Sequence, residues 1–524
     1  MSVWRKAFRS SVTALLLVAA APSGGRAATL AVGPGKTYAK PCAAIAAADD
    51  GDVIEIDAAG DYAGDVCTFQ KNNLTLRGVG NGRAKIDAAG KNAAGKGIWV
   101  IGGNNTVVEN IELSGAQVPD LNGAGIRQEG AGLSVRNCYF HDNENGILGG
   151  AGEVLIESSE FGHNGNCIDP SGCAHNMYIS GSTTKLTVRF SYSHHASSGH
   201  LIKSRAQENY ILYNRIMDEA DGTSSYAIDL PNGGTSFVIG NLIQQGPLTE
   251  NPTIIAYAEE GATNAGQTLT VVNNTFVNDK GSGTFIQLAG GASPAVVRNN
   301  IFFGGGTVTN QAAAQLSDNF STGDPLLVDR AGFDYRLRTG SPCIDMGGDP
   351  GVAGAMSLVP VFHYVHPLGS EPRPAVGALD IGAYELGASG GTLPDAGTGT
   401  DATARADAGP VTPPRDAAVE TATGGPPPDD AGAAKDASAA DRGDPGASSS
   451  SGCSCQTGGP QDAPSPLLIL GAAALVLWLH RRKRLAGTPR RERQATPEQR
   501  VSSNAILAVI RSVRGTPGAR QFRR

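Results

Sequence analysis

Between Leu74 and Phe302 the chain repeats one phrase: a β-branched run, a polar residue, a variable residue and an apolar one. Aligned on the polar position it reads Ile111, Cys138, Ser159, Ser191, Asn214, Asn241, Asn274 and Asn300, at intervals of 21 to 33 residues. One such interval suits one coil of a β-solenoid. Asn at the last four positions fits an inward ladder, in which stacked side-chain amides satisfy backbone groups left unpaired at a bend. An earlier strand of each coil centres on an isoleucine, at Ile126, Ile147, Ile179, Ile202, Ile228, Ile255 and Ile286. Side chains alternate along a strand, so inward isoleucines put Arg127, Ser180, Lys203, Asp229 and Gln287 on one outer face. Stacked coils lie about 4.8 Å apart, which makes Lys203 and Asp229 expected neighbours, with Arg205 on the face of Lys203.

Composition agrees with this all-β reading. With 71 Gly and 17% charged residues among 524, the chain favours turns and stacked strands over helical bundles. A formal net charge of -7 gives no reason to expect nucleic acid as a partner. One elongated domain, residues 28–387, and a monomer are expected.

Both ends carry export information. Arg5, Lys6 and Arg9, the apolar stretch Val12 to Ala21 and the small-residue exit before Ala27 read as a signal peptide over residues 1–27. Export permits disulfides among the eight cysteines. Cys42 with Cys67, near the open first coil, and Cys167 with Cys173, around a short loop, are the candidate staples. Cys138 occupies the inward column and is expected as a buried thiol, while Cys343 has no evident partner. Residues 388–452 hold mostly Ala, Asp, Gly, Pro, Thr and Ser, a composition expected to stay disordered as a stalk. After it, residues 453–484 comprise Cys453-Ser454-Cys455, the apolar run Leu467 to Leu479 and His480-Arg481-Arg482-Lys483-Arg484. That order resembles the MYXO-CTERM sorting signal of myxobacterial exported proteins. The resemblance implies modification at Cys453 or Cys455 and anchorage at the outer-membrane surface, the membrane being reached through the C-terminal segment. The basic tail, residues 485–524, departs from that pattern, since such signals normally finish the chain.

Taken with Val272-Asn273-Asn274-Thr275-Phe276 and Val297-Arg298-Asn299-Asn300-Ile301-Phe302, the coil spacing and Asn ladder resemble the right-handed parallel β-helix superfamily, the fold of pectate lyases and related polysaccharide enzymes. Asp324-Pro325-Leu326, Ser341-Pro342-Cys343 and Asp380-Ile381-Gly382-Ala383-Tyr384-Glu385 resemble the closing segment of bacterial surface β-helices with interchangeable C-terminal anchors. One such architecture hosts lyases, hydrolases, epimerases and adhesins, so the activity must be argued from side chains.

The densest polar chemistry lies between His175 and Asn232. β-Elimination at a uronic acid needs a cation for the carboxylate, a base for the C5 proton and a donor for the leaving oxygen. Lys203 or His200 is the candidate base, Arg127 and Arg205 the carboxylate clamp, and Tyr178 or His175 the donor, with Asp229 and Asn232 as further substrate contacts. A Lys base requires a pKa well below about 10.4, and Arg205 and Arg127 beside it would push that way. Weighed against this, Lys203 with Asp229 reads equally as a solvated ion pair. His200 has inward parity and fits a core histidine, Tyr178 fits a stacking platform for a sugar, and Pro231-Asn232-Gly233-Gly234 fits a turn. His194 and His195 are expected as solvated turn residues. Calcium is the one cofactor considered, on Asp229 and Glu129 or on the Asp218-Glu219-Ala220-Asp221-Gly222 stretch, although no carboxylate cluster fixes it. Polygalacturonase-like hydrolysis is weaker, because Gly199-His200 and Ile202-Lys203 lack paired aspartates on adjoining coils. The expectation is a surface-anchored protein that binds an acidic polysaccharide and cleaves it by β-elimination. The alternative is a non-catalytic adhesin.

Overall fold

The computed structural model describes residues 27–168 and 172–389. The signal-like segment before Ala27, the stalk, Cys453, Cys455 and the basic tail lie outside the described residues. The complete coils contribute one strand to each of three parallel sheets, which have twelve, ten and nine strands among the described residues. In one representative coil the ten-stranded sheet takes Ala124–Gln128, the twelve-stranded sheet Leu133–Arg136 and the nine-stranded sheet Tyr139–His141. Each of these pairs in parallel with its equivalent in the next coil. This is the right-handed parallel β-helix that the repeat implied.

From Leu133–Arg136 onward the bend between the twelve- and nine-stranded sheets is two residues long. Its first residue turns the backbone into the left-handed region, as at Asn137 (φ 50°), Asn273 (φ 51°) and Asn299 (φ 55°). Asn tolerates that conformation better than most residues. The second residue points inward and forms the ladder. Asn241 Oδ1 accepts from the Asn214 backbone N–H (2.9 Å) and Nδ2 (3.0 Å), and Asn274 does the same for Asn241 (2.9 Å each). The column continues through Asn300 to Asn319 at one end and through Ser191, Ser159 and Cys138 at the other. A second buried ladder, not foreseen, runs Asn143–Asn164–Asn176 at the bend leading into the ten-stranded sheet.

Inside, the isoleucine column is fully buried, and ring pairs such as Phe140–Phe161 (4.8 Å) and Phe276–Phe302 (5.0 Å) stack from coil to coil. The expected column is wrong in one coil. Met177, not Ile179, aligns with Ile147, while Ile179 aligns with Gly149. Tyr178 therefore replaces Ser180 on the outer face. Both Met177 and Ile179 are inward, so alternation alone could not fix a slip of two residues.

The helix Pro41–Ala47 covers the first coil with Pro41, Ala44 and Ile45, and Cys42–Cys67 ties it to the ten-stranded sheet. Cys167–Cys173 also forms, whereas Cys138 and Cys343 are buried thiols whose pKa values burial raises to about 12 and about 11. The closing segment after Phe320 packs along the side of the solenoid. Tyr335, Cys343, Tyr364 and Tyr384 cover Tyr192, Met217, Leu242, Val277 and Ile301 on the outside of the nine-stranded sheet. Arg215 is buried there, held by Glu219 (2.9 Å) and the Phe333 carbonyl (3.3 Å). Among the described residues no helix is long and apolar enough to cross a membrane.

Candidate functional site

The outer column of the ten-stranded sheet reads Val100, Arg127, Leu148, Tyr178, Lys203, Asp229, Ala256 and Gln287, one residue per coil. Strand alternation brings Lys203 and Asp229 side by side as the sequence implied, with Nζ and Oδ2 3.2 Å apart. They are not a solvated pair, because Lys203 is 1% and Asp229 3% exposed. Breaking a pair so buried costs roughly 3–5 kcal/mol, since it strands a charge out of water.

Arg205 lies two residues beyond Lys203 on the same face and gathers the rest. Its Nε donates to the Tyr178 hydroxyl (2.8 Å) and its Nη1 to Asn232 Oδ1 (2.6 Å). The Tyr178 ring packs beneath both cations, 5.3 Å from Lys203 Nζ and 5.7 Å from the Arg205 guanidinium carbon. Glu260 completes the cluster: Oε1 is 3.3 Å from Lys203 Nζ, and Oε2 accepts from Arg205 Nη2. Burial pushes the Glu260 carboxyl up, but the Arg205 hydrogen bond and the Lys203 charge outweigh it, leaving it below the usual carboxylate range. Asp229 goes the other way, since its burial raises it more than Lys203 lowers it. Glu260 was missed because it rides on the loop after Thr253–Tyr257, whose path no periodicity encodes. The loop docks through Glu260 N–H on the Pro231 carbonyl (3.0 Å) and Asn264 N–H on that of Asn232 (3.1 Å). Its only sequence signal was a carboxylate pair, Glu259-Glu260, just past a strand of the site sheet.

Several expected roles fail. His175 is fully buried, so it touches no ligand. Its Nδ1 accepts the His200 backbone N–H (2.9 Å), and the two rings stack 4.5 Å apart. His200 Nδ1 in turn accepts the Tyr226 N–H (3.1 Å), so the neutral ring carries its proton on Nε2, 3.4 Å from Asp229 Oδ2. Desolvation holds both histidines well below their ordinary pKa, with the Lys203 charge adding to it. His200 thus has no lone pair facing a substrate, and as a general base it is overturned; it orders the wall behind Asp229.

Arg127 lies three coils from the Lys203–Arg205 coil, with the Leu148 and Tyr178 coils between, about 14 Å along the axis, so Arg127 and Arg205 cannot clamp one carboxylate. Nor does Arg127 press on the Lys203 ammonium as expected; two carboxylates do, and they stabilise its charge. The calcium assignment also fails. Glu129 pairs with Lys96 four coils from Asp229. In the Asp218–Gly222 stretch, Asp218 faces Ser224, Glu219 faces Arg215 and Asp221 faces His195, so no two share a centre.

The sequence profile for the right-handed β-helix region matches residues 66–243. No curated protein sequence matches the chain. Among solved structures, the crystal structure of pectate lyase Pel9A superposes with a TM-score of 0.49 at 16% identity, covering 69% of this chain and 96% of that one. What the ten-stranded face does is therefore argued from its own side chains.

Proposed function

We propose that this face binds an acidic, uronate-containing polysaccharide, and that Glu260 occupies the seat of a uronate carboxylate. One observation carries the reading: the two Glu260 oxygens are held by two different cations, Lys203 and Arg205, in the manner of a bound carboxylate. A sugar carboxylate displacing the Glu260 loop meets the same two donors, with the Tyr178 ring beside them as an apolar surface for a pyranose. The half-buried Arg127, three coils from Lys203, is placed for a different residue of the same polymer. Signal-like residues 1–27 and the two disulfides support export, and the Cys453–Arg484 segment supports display at the outer-membrane surface.

One observation favours β-elimination as the second reading. The Tyr178 hydroxyl accepts from Arg205 Nε, so its own proton is free for a ligand oxygen, as a leaving-group donor requires. Lys203 remains the base in that scheme, and the two carboxylates beside it oppose its neutral form, which is why binding is the primary reading. The test incubates the full-length protein with polygalacturonate, alginate and a neutral glucan, following retention of polymer and the ultraviolet absorbance of an unsaturated product. Retention of the uronates alone, lost in Arg205→Gln, supports the binding reading. An absorbance rise abolished in Tyr178→Phe and Lys203→Ala adds the lyase step. Equal retention of the neutral glucan, or none of any polymer, overturns both.

A further inference from the structure

Away from that face, the C-terminal ends of two central strands of the nine-stranded sheet carry a cluster of imidazoles. His194 closes the strand Tyr192–His194 and is 6% exposed rather than solvated. His195 follows it and His163 follows Gly162, both with left-handed backbones (φ 46° and 55°). Register pairs Gly162 with His194, so His163 and His195 hold equivalent positions in adjacent coils, their rings 5.0 Å apart. A Cβ at position 162 would overlap the His194 ring, and glycine leaves the room.

The nitrogens are what matter. His194 Nε2 lies 3.4 Å from Glu160 Oε1, and His195 Nε2 lies 3.1 Å from Asp221 Oδ1. Asp221 only accepts, so the His195 ring carries its proton on Nε2 and turns its Nδ1 lone pair toward His194 Nδ1, 2.8 Å away. His194 Nε2 is buried with no hydrogen-bond partner among the described residues. A metal ion against the two Nδ1 atoms would free the His194 proton for Nε2, where Glu160 lies beside it. His163 brings a third ring, and one nitrogen from each of the three falls within 4.8 Å of the others.

We propose that His163, His194 and His195 bind one divalent transition metal of the zinc class, with Glu160 and Asp221 as the outer carboxylates that fix the ring tautomers. Neutral imidazoles select zinc, nickel or copper over calcium and magnesium. Metal–nitrogen bonds of about 2.0–2.1 Å set tetrahedral nitrogens about 3.3 Å apart, within the observed range of separations. A carboxylate behind each ligating ring is the usual outer arrangement at such centres. His163 is exposed and opens onto a cavity of about 440 Å³, which provides an entry path. The competing arrangement is a proton on His194 Nδ1 donated to His195 Nδ1, which leaves His194 Nε2 buried and unpartnered and the His163 ring outside the contact.

The test uses untagged full-length protein, stripped with a chelator and titrated with Zn²⁺ by calorimetry and with Co²⁺ by visible absorbance. Asp221 is 84% exposed in its side chain, so Asp221→Asn leaves the fold intact while weakening zinc about tenfold. His163→Ala removes one equivalent of zinc and the Co²⁺ bands. His141→Ala, two coils from His194 and paired with Glu112, leaves both unchanged. Binding through Cys453 and Cys455 is common to all variants and cancels in the difference. The proposal is overturned if His163→Ala, with an unchanged circular dichroism spectrum, retains the full zinc stoichiometry, or if nitrogen NMR with excess Zn²⁺ shows His194 and His195 still sharing a proton.

Discussion

Replacing Glu260 with Gln tests whether an internal carboxylate occupies a ligand's seat. The substitution keeps the shape of the side chain, and the loop stays docked through the backbone bonds of Glu260 and Asn264 to Pro231 and Asn232. At 3.3 Å from Lys203 Nζ, the charge of Glu260 is worth about 5 kcal/mol at an effective dielectric near 20. Its side chain is 32% exposed, however, and water screens much of that, so about 1–2 kcal/mol is a realistic net for the contact. An incoming uronate carboxylate must match this before it gains anything. Glu260→Gln should therefore tighten polygalacturonate binding by about 5- to 30-fold, with a steeper loss on raising salt because a ligand charge now faces two unopposed cations. Calorimetric titration of wild type and variant at two ionic strengths measures both effects. An unchanged or weakened affinity in a variant with the wild-type spectrum and melting temperature would show that Glu260 is a structural clip or a ligand contact, and the displaced-carboxylate argument would fall.

Three further outcomes follow from the same geometry. In the ladder, Asn241→Ala removes the acceptor of the Asn214 N–H and Nδ2 and the donor to the Ile211 carbonyl (2.8 Å), all buried. At about 1–3 kcal/mol for each stranded group, denaturant unfolding should report a loss of at least about 3 kcal/mol, and a loss under about 1 kcal/mol would show the ladder to be dispensable. Lys203→Met alone should destabilise by about 3–5 kcal/mol by stranding Asp229, whereas Lys203→Met with Asp229→Leu should recover most of that; a double variant as unstable as the single would mean that the pair contributes more than mutual neutralisation. For pH, the folded-state pKa values of His175 and His200 are depressed, so between them and about 6.5 the unfolded chain binds more protons. Stability is then full above about pH 6.5 and lost as pH falls below it, by about 2.7 kcal/mol per pH unit from this pair. Urea unfolding between pH 7.5 and 5.5 checks the sign, and stability that rises on acidification would contradict it.

Much of the fold was legible because a solenoid writes its geometry into a period. The polar phrase located the Asn ladder from Asn214 to Asn300, though not its last member Asn319, the alternation put Lys203 beside Asp229, and the cysteine positions gave both disulfides. What failed lay outside those two signals. The slip at Met177-Tyr178-Ile179 arose because alternation is blind to a shift of two, and it spared Tyr178 only because that shift preserves parity. Arg127 shares the outer face with Arg205, but sharing a face says nothing of distance along the axis. The Asn143–Asn164–Asn176 ladder recurs at irregular intervals, and Glu260 sits in a loop with no repeat at all. A readable sign of the lateral cover was overlooked: Tyr192, Met217, Leu242, Val277 and Ile301 make the outer positions of the nine-stranded sheet apolar as well, and a strand apolar on both faces must be covered on both.

The same column that misplaced Arg127 also argues for where a ligand sits. Its other positions show what the backbone tolerates at low cost: Val100, Leu148 and Ala256 are apolar and satisfy the same stacking. A buried lysine–aspartate pair seldom improves on such residues for stability, because desolving two charges offsets most of their attraction. Arg127 and Gln287 are single polar positions in that column, but Tyr178, Lys203 and Asp229 depart from the apolar solution in three consecutive coils, and among the described residues of the column it is there that a loop lays a carboxylate over the cations. Stability alone gives no reason for that concentration. A face that must exchange one carboxylate for another does, since it needs its cations desolvated enough to bind strongly and neutralised enough to fold without the ligand.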